Sequence, residues 1–413
     1  MSIVSVLKDI AKKSTTLRVL MRNTMYTSKK VLYFWKGIGV KPDEKTVVFS
    51  AYNGRSYVCS PKAVYEYMLH QEEYADYRFI WLFDHPEKYQ HLMEHPNTIV
   101  VKNGSSQCEK YLHQSKYWIF NFRAYDHWIP KKSQVYVQCW HGTPLKRLGY
   151  DITNSDNAMN SVKEIREKYR TDALRFSYIL SPCRFVTETF ASAWNLKKTG
   201  KEAAILETGY PRNDFLNDFS QEDVLRIREN IGLKDETRKI ILYAPTWRDN
   251  QYDSKKGYVY DNPVDFAYLR EQLGKDYVIL FRAHYLVADQ FDFEQYKDFV
   301  LDVSKYDDIN ELYVVSDLLI TDYSSVFFDY AILKRPMLFY MYDMEAYRDE
   351  MRGFYLDIHD LPGPIVKTEA ELAGAVCAAS VAGADMESIE TFNQEYNLMN
   401  DGNAAMRFVE KIF

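Results

Sequence analysis

Short, almost wholly apolar runs recur along this chain at the spacing of a strand plus a crossover helix, and they leave few folds open. They fall at 47–49, 79–83, 99–101, 118–120, 136–138 and 178–180, then again at 240–243, 277–281, 300–303, 318–321 and 337–340. Runs with no polar face read as strands buried on both sides, the environment of a parallel sheet covered by helices. The mixed segments between them, such as 62–72 and 159–173, supply the helices. The first series closes at Glu207-Thr208-Gly209-Tyr210-Pro211, and the polar stretch 217–237 precedes the second. This predicts an α/β protein of two Rossmann-like parallel-sheet domains facing each other across a cleft. The expected boundaries are an N-terminal segment 1–44, a first domain 45–216, a bridge 217–237 and a second domain 238–413.

Composition agrees with a folded chain of this size: 413 residues, 46 % hydrophobic, 34 tyrosines, and no internal repeat. The five cysteines, Cys59, Cys108, Cys139, Cys183 and Cys377, are scattered and form no CxxC pair. That speaks against a disulfide framework or a zinc site and fits a reducing cytoplasm. No signal peptide or transmembrane run of about 20 apolar residues is expected.

Charge is uneven. The whole chain carries −6, which argues against a nucleic-acid partner, yet the segment up to Lys41 holds nine basic residues and one acid. On a helical wheel Ile3, Val6, Leu7, Ile10, Leu17 and Met21 lie opposite Lys8, Lys12, Arg18 and Arg22. Such a helix suits an anionic membrane surface, where each basic residue contributes about 1 kcal/mol, and equally suits packing on its own protein. The aromatic trio Tyr33-Phe34-Trp35 tips the reading to the membrane interface.

In open parallel sheets ligands bind beyond the carboxyl ends of the strands. The run at 240–243 is followed by Thr246 and Arg248, and the run at 277–281 by Arg282 and His284. The run at 318–321 ends in Thr321, Asp322, Tyr323, Ser324 and Ser325, followed by a helix-like segment that carries Asp329. Serines at a helix start, with guanidinium groups on the same rim, point to a phosphate. In the first series the strand at 136–138 delivers His141 into a turn with Gly142, Thr143 and Pro144, followed by Lys146 and Arg147. Two imidazoles, His141 and His284, suit proton transfer near neutral pH. Neither GxxxxGK[ST] nor GxGxxG follows a strand, so the P-loop and dinucleotide signatures are missing.

The segments WHGTPLKRLGYD, GYPRND, YAPTWRDN, LFRAHYLV, DINELYVVSDLLITDYSSVFFDYA and RGFYLD, in order between Thr46 and Pro364, resemble the CDP-glycerol glycerophosphotransferase family of teichoic acid primases and polymerases. The resemblance implies a GT-B fold and attack of an acceptor hydroxyl on the β-phosphate of a CDP-alditol, with release of CMP. It places the two required histidines on His141 and His284. It gives Thr246, Arg248, Arg282, Thr321, Asp322, Ser324, Ser325 and Asp329 to the donor nucleotide and its pyrophosphate. Gly142, Thr143, Lys146 and Arg147 are the matching acceptor candidates, and Lys8, Lys12, Arg18 and Arg22 the membrane candidates. The implied partners are the CDP-alditol donor, a lipid-linked polyol-phosphate acceptor and an anionic membrane surface. The implied location is peripheral, on the cytoplasmic face of the membrane. The CDP-alditol is a substrate, so no cofactor is called for, and no carboxylate cluster suggests a dedicated metal.

Glycerol phosphate is the favoured group, with ribitol phosphate or a capsule-type acceptor open. A GT-B glycosyltransferase using a nucleotide sugar is the rival enzyme, and a membrane-bound scaffold that kept the fold without activity is the rival of another class.

Overall fold

The computed structural model describes residues 15–153, 161–246, 252–253, 257–258, 264–283, 293–344 and 353–413. The chain divides into two compact units. One comprises residues 1–57, 69–139 and 175–178, the other 58–68, 140–174 and 179–413.

The first unit is built on β1 (Asp43–Ser50), β2 (Arg78–Phe83), β3 (Thr98–Lys102), β4 (Ser115–Phe120) and β5 (Val135–Gln138), parallel in the order β3-β2-β1-β4-β5. Each of these strands contains one of the apolar runs read from sequence. Val47, Val48, Phe49, Trp81, Leu82, Trp118 and Ile119 are fully buried, as strands covered on both faces require.

Two helices bear on the basic N-terminal segment: α1 (Thr15–Lys36) and α2 (Ser106–Gln114), the latter capped by Ser105 Oγ accepting from the Cys108 N–H at 3.1 Å. The aromatic trio is split by the fold. Tyr33 is 2 % exposed and stacks on His113 of α2 with ring centroids 4.0 Å apart, whereas Phe34 and Trp35 are 68 % and 65 % exposed. Val31, Leu32 and Ile38 are exposed as well. Lys8 and Lys12 lie outside the described residues, and Arg18 and Arg22 lie on α1 with side chains that also fall outside them.

In the second unit β6 (Tyr178–Ser181) pairs in parallel with β7 (Ile205–Glu207). A six-stranded sheet follows, made of β8 (Lys239–Ala244), β11 (Tyr277–Phe281), β12 (Val300–Asp302), β13 (Leu318–Thr321), β14 (Met337–Tyr340) and β15 (Ile365–Val366). Its order is β12-β11-β8-β13-β14-β15, all parallel, and a small antiparallel pair, β9 (Tyr252–Asp253) and β10 (Gly257–Tyr258), stands apart from it. Sequence reading passes over β7 and β15 because three and two residues are too few to show a pattern. The polar stretch 217–237 holds a helix, α3 (Gln221–Asn230), with a capping box between Ser220 and Asp223. Its Ile227 and the following Ile231 pack into the core with Leu242, Leu280 and Leu319.

Burial and the Lys131 ammonium hold the His113 imidazole below its ordinary pKa, with Glu109 acting the other way and Lys36 adding to the repulsion. Burial does the same for His127, whose ring lies 6.2 Å from that of Tyr33. A depressed pKa means that the unfolded chain binds the proton more readily, so this stability is complete above about pH 6.5 and is lost as pH falls through the folded value. Thermal midpoints should therefore drop on going from pH 7 to pH 5. A His113→Phe variant, which keeps a ring beside Tyr33, should lose less over that interval.

Candidate active site

Strand order places the site. The second sheet runs outward from β8 in both directions, so the connections leaving β8 and β13 diverge and open a crevice beyond their carboxyl ends. In register Thr321 lies opposite Ala244, and two bonds tie the strand ends together. Thr321 Oγ1 donates to the Ala244 carbonyl at 2.8 Å, and the Thr246 N–H donates to Asp322 Oδ1 at 2.7 Å. Thr321 and Asp322 are 0 % and 2 % exposed, so both side chains are spent on holding the two turns in place. The Tyr323 hydroxyl donates to Asp343 at 3.1 Å and steadies the same turn.

Ser324 and Ser325 follow. Ser325 stands before a helix of only five residues, α4 (Val326–Tyr330), which continues as a 3₁₀ turn over Ala331–Leu333, and its side chain makes no capping bond. So short a helix carries little macrodipole, and the anion-binding capacity of this turn rests on its hydroxyls and N–H groups.

A cavity of about 340 Å³ opens at this point. Ala244, Pro245 and Thr246 line it from β8, Arg282 and Ala283 from β11, and Tyr323 to Val326 from β13. The turn after β5 completes it with Trp140, His141, Gly142, Thr143, Pro144, Leu145, Lys146 and Leu148. The two turns touch closely: a Cβ added to Gly142 would sit 3.4 Å from Ser325 Oγ. Lys146, Arg282 and His141 are basic or titratable, and no Asp or Glu is among the described lining residues. Such a lining receives an anion with hydroxyl, N–H and cationic donors.

His141 is exposed and stacks on Trp140, with ring centroids 4.5 Å apart and an interplanar angle of 28°. Trp140 holds a left-handed backbone, φ 51°, which is costly for a bulky residue and persists only where packing fixes it. Trp194, Phe190 and Tyr169 supply that packing, with centroids at 4.9, 6.1 and 6.5 Å. The indole therefore acts as a fixed platform under the imidazole.

Of the residues singled out in the sequence, His141, Gly142, Thr143, Lys146, Thr246, Arg282, Ser324 and Ser325 meet at the cavity. Thr321, Asp322, Arg147 and Asp329 do not line it. Arg147 is exposed, with its N–H donating to the Gly353 carbonyl. Asp329 is 6 % exposed and takes two bonds from Arg212 Nη2, both at 2.7 Å, and one from Asn213 Nδ2 at 2.8 Å. It anchors α4 to the GYPRND turn. Arg282 faces the cavity while its Nη1 donates to the carbonyls of Tyr306 at 2.6 Å and Val303 at 3.3 Å, so part of the guanidinium organises the loop after β12. Arg248 and His284 lie outside the described residues. Trp140 is the lining residue beside a chosen histidine that sequence reasoning does not single out. The sequence signal for Trp140 was its place between a strand end and a histidine turn.

A family model described as CDP-Glycerol:Poly(glycerophosphate) glycerophosphotransferase matches residues 33–413. A teichoic acid poly(glycerol phosphate) polymerase of Bacillus spizizenii is 37 % identical over 399 residues, 96 % of this chain and 99 % of that protein. A teichoic acid glycerol-phosphate transferase of Staphylococcus aureus is 37 % identical over 405 residues, again 96 % and 99 %. A solved structure of the wall teichoic acid polymerase TagF superposes with a TM-score of 0.81 at 36 % identity, covering 96 % of each chain. The fold is of the GT-B type, and the relatives that match along the chain are transferases and polymerases. The chain belongs to the CDP-glycerol:poly(glycerophosphate) glycerophosphotransferase family.

Two substitutions separate scaffold from cavity. Arg212→Ala leaves the buried Asp329 carboxylate without its ion-pair partner and should cost about 3–5 kcal/mol of unfolding free energy by denaturant titration. Asp322→Ala strands the Thr246 N–H, a loss of about 1–3 kcal/mol, and releases the two turns, so amide hydrogen exchange at 244–246 should speed up beyond what the stability loss explains.

Proposed function

We propose that this enzyme transfers glycerol phosphate from CDP-glycerol to a hydroxyl of a lipid-linked teichoic acid acceptor and releases CMP. The observation that carries the reading is the meeting of His141 with Ser324, Ser325, Arg282 and Lys146 around one cavity whose described lining holds no carboxylate. Similarity to glycerol-phosphate enzymes along nearly the whole chain favours glycerol over ribitol.

In this reading the pyrophosphate sits on the Ser324–Ser325 turn, with Arg282 and Arg248 taking up its charge. His141 is the base that removes the proton of the acceptor hydroxyl as the oxygen attacks the β-phosphorus. The bond from that phosphorus to the bridging oxygen breaks and CMP leaves. His284 stabilises or protonates a phosphate oxygen. Lys146 draws the acceptor's own phosphate toward the cavity, Gly142 and Thr143 shape that approach, and Arg147 stands at its rim. Thr321, Asp322 and Asp329 act through the turns they hold.

Donor choice is read directly by CMP release. With a lipid-linked glycerol phosphate acceptor, CDP-glycerol should be turned over and CDP-ribitol should not, and the reverse result would reassign the alditol. His141→Ala should lower kcat by about 10²–10⁴-fold with the thermal midpoint unchanged. Normal turnover in that variant would remove His141 from the mechanism.

The same reading puts the enzyme at the cytoplasmic face of the membrane. Val31, Leu32, Phe34, Trp35 and Ile38 expose apolar surface beside Lys29 and Lys30, and Lys8, Lys12, Arg18 and Arg22 add charge upstream. Among the described residues no single helix is long and apolar enough to cross a bilayer. Vesicles containing anionic lipid should bind the protein and shift the Trp35 emission to the blue. Replacing Phe34 and Trp35 by serine should weaken that binding by about tenfold or more, since each buried aromatic contributes about 1.5–3 kcal/mol.

A further inference from the structure

The described residues of the RGFYLD segment, 353–357, take no part in the cavity lining, yet they are bonded to the turn that carries His141. Between Trp140 and the 3₁₀ turn Gly149–Asp151 the chain has no regular structure of its own, so the backbone groups of that turn need partners from elsewhere. The strap at 353–356 supplies them. The Arg147 N–H donates to the Gly353 carbonyl at 3.1 Å, and the Tyr355 N–H donates to the Leu145 carbonyl at 2.9 Å. Lys146 and Phe354 form an antiparallel bridge. The Leu148 N–H donates to Tyr355 Oη at 3.0 Å, and the same hydroxyl donates to Asp151 Oδ2 at 2.6 Å. Asp151 also accepts from Ser192 Oγ, which ties the arrangement to the helix Arg184–Ala193.

The strap has a second hold. The Phe354 ring lies 5.9 Å from that of Tyr323 and within 14° of parallel to it, and Tyr323 immediately precedes Ser324. One short piece of chain thus grips the histidine turn by hydrogen bonds and the serine turn by an aromatic stack. Leu356, 6 % exposed, and Leu145, 3 % exposed, belong to the same apolar core and anchor both pieces from below. Gly353 has φ 77°, and an added Cβ would come within 3.4 Å of Arg147 Nε, so the strap's first residue suits glycine. Burial, followed by the bond to Asp151, raises the Tyr355 pKa well above the usual phenol range, so the hydroxyl keeps the proton that it donates.

We propose that the strap 353–356 aligns the two catalytic turns with each other, with Tyr355 as the positioning residue that fixes 145–148 and, through them, His141. The inference rests on the phosphotransfer reading for its kinetic arm. Tyr355 touches no substrate in this arrangement. It acts by limiting how far the imidazole wanders from the serine turn, where misplacement by about 1 Å costs as much as 10²-fold in rate.

The test compares wild type, Tyr355→Phe, Asp151→Ala and Asp151→Asn as full chains. It measures amide hydrogen exchange at 145–148, kcat and KM for CDP-glycerol, and thermal midpoint. Tyr355→Phe and Asp151→Ala should speed exchange at 145–148 by about tenfold and lower kcat by about tenfold. KM for the donor should stay within about twofold, because the donor is held by the serine turn. Asp151→Asn keeps an oxygen that accepts from Tyr355 and should behave nearly as wild type. Faster exchange with unchanged kcat would overturn the positioning role, as would a fall in kcat that merely tracks a collapsed thermal midpoint in the conservative Phe variant. Unchanged exchange in the two disrupting variants would overturn the strap's hold on the turn. If wild type releases no CMP from CDP-glycerol, the phosphotransfer reading fails separately and takes the positioning role with it, while the exchange data still decide whether the strap holds the turn.

Discussion

The structure around the site depends on how β8 and β13 end side by side. Two hydrogen bonds, from the Thr321 hydroxyl to the Ala244 carbonyl and from the Thr246 N–H to Asp322, join the turns that leave them. The first is buried and the second partly so, where an unmade bond is expensive, and each turn fixes its neighbour. The polar groups between the turns and Asp343, bonded to Tyr323, then aim Ser324 and Ser325 into the open crevice.

The same economy recurs one layer out. Asp329, Arg212 and Asn213 form a buried charged cluster that seats the short helix behind the serines, and Arg282 divides its guanidinium between the cavity and the loop after β12. The Asp329 carboxylate tolerates burial because it accepts two bonds from Arg212 and one from Asn213, and such clusters hold a position more than they add stability. The strap 353–356 extends this frame to the histidine turn, where Trp140 adds strained backbone and an indole platform. The described lining of the cavity presents few ionisable groups, and many more residues hold its turns in register.

Much of this was legible in the sequence. The apolar runs marked the longer strands, because a strand buried on both faces leaves no room for polar side chains, and the polar residues after those strands marked the rim. Function was legible because the ungapped motifs that hold Ser324, Ser325, Arg282 and His141 resemble those of a known family. What the pattern did not carry was the division of labour within those motifs. Asp322, Thr321 and Asp329 look the same in sequence whether they face a ligand or a neighbouring turn, and the answer depends on what packs opposite. Tyr33 and Trp35, two residues apart on one helix, differ likewise: only one meets the His113 ring.

The sequence by itself determined the two series of buried parallel strands, the basic N-terminal helix and the set of residues able to handle a phosphate, since these follow from local composition and period. Only the tertiary structure decided that the histidine turn after β5 lies against the serine turn after β13, that a strap more than two hundred residues along the chain from His141 grips both, and that the side chains of Thr321, Asp322 and Asp329 are bonded into neighbouring turns. Those are contacts between residues far apart in the chain. They arise because burying the apolar strands leaves polar turns that must find partners in whatever segment the fold brings beside them.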